Sequence, residues 1–108
     1  MTAFEERERA FEKKFAIDEE LKFRIEARRN KLLGEWAAAK LNLSGSAVGE
    51  YIRELTEIQV TRGSEGVFEK VMSDFEANGV GVTANELRKT SLEFQSRAAK
   101  EIKAEPNV

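Results

Sequence analysis

What most constrains this chain is where its helix breakers are. Between Thr2 and Leu33 there is no glycine and no proline, and the single proline, Pro106, stands almost at the C-terminus. Glycine and proline are the residues that interrupt regular backbone, so the first third of the chain is free to run as one helix. The later breakers fall mostly in clusters, and no alternation of apolar and polar residues argues for strands.

The periodicity predicts four amphipathic helices. The first runs from about Asp18, a capping residue followed by Glu19 and Glu20, to Leu41, with Asn42 ending it. Its apolar stripe is Leu21, Ile25, Leu32, Trp36 and Ala39, flanked by Leu33, Ala37 and Leu41. A second helix is expected after a Ser44 cap, with Val48, Tyr51, Ile52, Leu55 and Ile58 inward and Gly63 as its stop. A third starts near Ser64, carries Val67, Phe68, Val71, Met72 and Phe75, and closes at Asn78 and Gly79. The fourth has the strongest start signal, a Thr83–Glu86 capping box inside a Val82–Leu87 staple. Helices this one-sided must pack on one another, which predicts an all-α four-helix bundle over residues 18–103 and a frayed tail over 104–108.

Residues 1–17 differ. Phe4, Phe11 and Phe15 share one helical face in an otherwise charged stretch. Glu5–Arg9 is a favourable pair, but Glu8–Glu12 and Arg9–Lys13 place like charges four apart. Isolated helices of this length are marginal in water. The expectation is an N-terminal arm, largely disordered when free, that becomes helical on binding. A continuous helix from Ala3 to Leu41 is sterically open to the bound form and would be about 58 Å long.

Composition excludes most chemistries. With 108 residues there is room for one domain, and with neither cysteine nor histidine there is no disulfide, no thiolate and no ordinary zinc or haem ligand set. No serine has a histidine base, no Walker or three-glycine phosphate loop occurs, and the abundant carboxylates read as solvated helix faces. The expected class is a binding protein and not an enzyme. A formal net charge of −2 with interleaved signs argues against nucleic acid and against a polybasic membrane anchor, and no apolar run is long enough to insert in a bilayer. The N-terminus lacks the features of a signal peptide, which predicts a cytoplasmic protein. Arg24, Arg28, Arg29 and Lys31 form a basic stripe. It reads either as a solvated face or, at Arg24, Arg28 and Arg29, as a secondary docking surface. Trp36 belongs to the core stripe, and Gly34 inside a helix implies close approach of a neighbouring helix.

One string of residues is specific. Phe4, Arg7, Glu8, Ala10, Phe11, Glu12, Lys14, Phe15, Ala16, Asp18, Glu19, Glu20 and Phe23 lead into Ala27, Arg28, Arg29, Asn30, Lys31, Leu32, Leu33, Gly34, Trp36 and Ala37. This resembles the zeta subunit family of α-proteobacteria, small inhibitory subunits of the rotary ATP synthase. The likeness is dense over residues 4–37. Farther on it rests on helical architecture and on pieces such as Gly66, Val67, Phe68, Glu69 and Lys70, while Gln59, Val60, Thr61 and Arg62 depart from a more acidic segment.

The resemblance implies binding to the catalytic subunits of the synthase head and suppression of ATP hydrolysis. It maps the inhibitory element onto the N-terminal arm, with Phe4, Glu5, Arg7, Glu8, Arg9, Phe11, Glu12, Lys14 and Phe15 as partner-binding residues. It also implies peripheral association with the inner face of the membrane through the synthase. No cofactor is required. Weak adenine nucleotide binding is implied by the resemblance alone, with no motif to support it, and the free protein is expected to be monomeric. The alternative is a helical adaptor or regulator acting on a different protein partner through the same arm.

Overall fold

The computed structural model describes the backbone of residues 3–105 and the side chains of residues 19–105. Among them are three α-helices and no strand: α1 (Ala3–Lys40), α2 (Ser46–Ala77) and α3 (Ala84–Ala104). The all-α class is as expected. Three helices stand where four were expected, and the difference lies at Gly63, across which the expected second and third helices join as the two halves of α2.

Gly63 has φ 72° and ψ −171°, a combination inside α2 that only glycine adopts without strain. One residue therefore turns the chain where a stop and a separate third helix were expected. The two halves of α2 fold back on each other: Tyr51 Oη donates to Asp74 Oδ2 at 2.8 Å, and Lys70 pairs with Glu54 at 3.5 Å. Gly66 allows the halves to close near the bend, because a Cβ there would stand 2.5 Å from the Arg62 Cβ.

The helix ends follow local chemistry. Asn42 takes φ 60°, and Leu43 N–H donates to Ala38 O while Asn42 N–H donates to Ala39 O, a Schellman closure of α1. Val80 and Gly79 repeat the pattern on Phe75 and Glu76 at the end of α2. The Thr83–Glu86 capping box forms in both directions at the start of α3. Ser44 is not the cap of α2. That position belongs to Gly45, which makes no side-chain cap bond.

α1 runs antiparallel to α3, as Trp36 beside Phe94 and Arg28 beside Glu101 show, and among the described residues this pairing is more extensive than that of α2 with either helix. The α2 hairpin packs on the remaining side of α1, where a Cβ on Gly34 would meet Ile52 Cγ1 at 2.7 Å. The close approach inferred from Gly34 is thus present. Leu33, Ala37, Tyr51, Leu55, Val67, Val71, Phe75 and Leu87 form the core. Trp36 packs on its edge, T-shaped against Phe75 at 5.7 Å and Phe94 at 6.3 Å.

The buried face of α1 is rotated from the one expected. Leu33, Ala37 and Ala38 are buried, whereas Leu32 and Trp36 are half-buried and Ala39 is exposed. The cause is polar: Arg29 and Asn30 are buried on the same face, and an apolar-stripe reading passes over both. The expected properties of residues 1–17 as a free arm rest on side chains outside the described residues, as do those of the tail at 106–108.

Candidate functional site

All nine arm residues named by the resemblance, Phe4, Glu5, Arg7, Glu8, Arg9, Phe11, Glu12, Lys14 and Phe15, fall on the N-terminal part of α1. Their side chains lie outside the described residues. What the structure describes is the root of that segment, where α1 enters the bundle, and it is built almost wholly from charged and amide side chains.

On the α3 side, two rows of opposite charge at helical spacing meet. Arg28 Nη1 donates to Glu101 Oε1 at 2.9 Å and Arg28 Nη2 to Glu105 Oε1, while Arg24 Nη2 reaches Glu105 Oε2 at 3.4 Å. Arg97 holds the other Glu101 oxygen at 2.8 Å. The hydrogen bonds that Arg28 donates to Glu105 and then Glu101 raise its pKa, and those accepted from Arg28 and then Arg97 hold the Glu101 carboxyl below its ordinary value. Beneath this layer Ala98 and Ile102 are buried, and α3 runs to Ala104 with Glu105 as its C-cap. Glu105 had been expected in the tail. Glu101 and Glu105, four apart like Arg24 and Arg28, carried a signal in that matched spacing.

On the α2 side, Arg29 is 7% exposed. Its guanidinium donates to Gln59 Oε1 at 2.7 Å, Ser64 Oγ at 3.0 Å, Asn30 Oδ1 at 3.0 Å and Gln95 Oε1 at 3.1 Å. Asn30, fully buried, donates to the same Gln59 oxygen, and Gln59 Nε2 donates to Glu26 at 3.1 Å. Burial lowers the Arg29 pKa, opposed by the Glu26 charge, yet an arginine stays cationic over the whole physiological range. Among the described residues no buried side-chain polar atom lacks a partner. The basic stripe is therefore committed inward at Arg29 and shared with α3 at Arg24 and Arg28. Gln59 and Ser64, in a region with no assigned role from sequence, tie the hairpin bend to α1.

A shallow recess of about 240 Å³ opens beside this network, lined by Arg29, Ser64, Glu65, Phe68, Arg88, Ser91 and Leu92. Arg88 lies over the Phe68 ring and pairs with Glu65 at 2.9 Å across its mouth. Among the described residues no three His, Cys, Asp or Glu side chains are placed to hold a metal, and no helix is long and apolar enough to cross a membrane.

No curated protein matches the chain. The family model for ATPase inhibitor subunit zeta matches residues 1–101. That span takes in α1, the α2 hairpin and most of α3, together with Arg24, Arg28 and Arg29 and the glutamate at 101. The chain belongs to the ATPase inhibitor subunit zeta family.

Proposed function

We propose that this protein inhibits ATP hydrolysis by the rotary ATP synthase, binding the catalytic subunits of its head through residues 1–17. The match to an inhibitor family over residues 1–101 carries the reading. It is supported by α1, whose span from Ala3 to Lys40 joins the phenylalanine-bearing segment to the packed bundle in one element.

The mechanism is a wedge. The arm enters a cleft between catalytic subunits and holds rigid an interface that must open and close in every turnover. Burying one phenylalanine contributes roughly 1.5–3 kcal/mol, and ordering a segment on binding costs about 2–5 kcal/mol or more. One ring does not offset that cost, whereas Phe4, Phe11 and Phe15 together do. The bundle anchors and directs the arm. Association with the membrane follows from the partner, at the inner face where the catalytic head lies.

The experiment adds purified protein to the isolated catalytic head and follows ATP hydrolysis. Inhibition by the full chain, lost on deleting residues 1–17 with the thermal midpoint retained, is the expected result. Inhibition by the truncated protein would move the active surface to the bundle. No effect from the full chain would favour an adaptor acting on another partner.

A further inference from the structure

We infer that Glu101 and Glu105 of α3 are positioning residues for the arm: they fix the direction in which α1 leaves the bundle. The inference rests on the arm reading above, and deepens it by naming what aims the wedge.

Support for α1 becomes one-sided toward its N-terminus. The α2 hairpin turns at Gly63, and its last polar contact with α1 is Gln59 on Glu26. N-terminal of Glu26, the only described side-chain hydrogen bond or ion pair made by α1 is Arg24 to Glu105. Phe23, in the same turn, is 64% exposed, as expected of a ring with no hairpin beside it. Among the described residues, polar restraint on this part of α1 therefore comes from α3 alone. The carboxylates that supply it lie where buried Ala98 and Ile102 seat α3 against α1. Glu105 accepts from two successive turns of α1, which resists tilting as well as sliding. Glu101 is itself held by Arg97, so it meets Arg28 already oriented.

A wedge needs this. An arm whose root swings samples many directions, only some of which point into a cleft, and the fraction in the competent direction scales the apparent affinity. The ion pairs are half-exposed and add little to folding. They bear instead on the angular spread of the root.

Because the chain has no cysteine, spin labels can be placed uniquely at Glu20→Cys and Lys89→Cys, both exposed positions. Pulsed dipolar spectroscopy on the full, free chain then reads the width of the distance distribution between root and bundle. In the Glu101→Gln, Glu105→Gln double variant the distribution should broaden. Inhibition of the isolated catalytic head by the unlabelled variant should weaken about three- to tenfold, in proportion to the loss of modest ion pairs. Salt at about 1 M, which screens charges beyond about 3 Å, should broaden the parent distribution and leave that of the double variant unchanged. The urea midpoint should stay close to the parent's, and if it does not, each single variant is read in place of the double. An unchanged width overturns the inference whatever inhibition does. Broadening without loss of potency overturns it too, since the root's direction would then not matter. If deleting residues 1–17 leaves inhibition intact, the arm reading fails, while the distance measurement still decides whether the carboxylates hold the root.

Discussion

Replacing Gly63 by alanine tests the origin of the hairpin. A Cβ at position 63 would have nothing within 4 Å, so no steric clash accompanies the change. The penalty is purely conformational. A backbone at φ 72°, ψ −171° lies in a region essentially reserved for glycine, where other residues are strained by about 1–3 kcal/mol. Alanine also restricts the unfolded chain, which returns about 0.4–1 kcal/mol. The net expectation is a loss of about 1–2 kcal/mol in urea unfolding, from the same two terms. Gly49→Ala supplies the opposite sign with identical chemistry. Position 49 is exposed in the first half of α2 with nothing within 4 Å and no positive φ, so alanine there should add about 0.5–1 kcal/mol. A second outcome is available to Gly63→Ala. If residue 63 takes helical angles, α2 straightens, and contacts such as Tyr51–Asp74 re-form between two chains. Light scattering would report that dimer. A monomeric Gly63→Ala protein as stable as the parent would refute the argument that the bend depends on glycine.

Changing Phe11 and Phe15 together to alanine should remove about 3–6 kcal/mol of binding, some two to four orders of magnitude in inhibitory potency, with urea stability retained. A fall in stability of several kcal/mol would place the rings in the bundle's own core. Thr83→Ala removes the side-chain acceptor for Glu86 N–H and should cost about 0.5–2 kcal/mol in urea unfolding. Glu101, bonded by Arg28 and Arg97, and Glu65, bonded by Arg88, are held below their ordinary 4.5. A carboxylate depressed in the folded state contributes stability that is present above 4.5 and lost as pH falls through its folded pKa. The urea midpoint should therefore drop on acidification below about pH 4.5, and less steeply in a Glu65→Gln, Glu101→Gln variant.

Much of this fold was legible because its signals are local. Thr83 with Glu86, Asn42, Asn78 with Gly79, and the breaker Gly63 all act on the few residues beside them, and each marks a boundary or bend. That one residue makes the turn at Gly63 with no loop between was not legible, since a glycine that ends a helix before a loop and one that folds it back directly look alike in sequence. The inward face of α1 was misplaced because burial at Arg29 and Asn30 depends on partners 29 or more residues away, Gln59, Ser64 and Gln95. For the site, the composition of the arm and its row of phenylalanines could be read directly. The carboxylates at its root left only the matched four-residue spacing of Glu101 and Glu105 as a signal, and their pairing with Arg24 and Arg28 spans more than seventy residues of chain.

The Arg29 network bears on how this protein can change over generations. Apolar helix faces tolerate sliding and piecemeal replacement, since one methyl group serves much as another. A guanidinium shared among Asn30, Gln59, Ser64 and Gln95 does not. A slip of α1 by one turn, about 5.4 Å, would strand the cation and every acceptor it satisfies. Replacing any one member alone leaves the others facing a gap. These five positions therefore constitute a single heritable character distributed over three helices: compensated changes among them should arrive together, while neighbouring core positions drift independently.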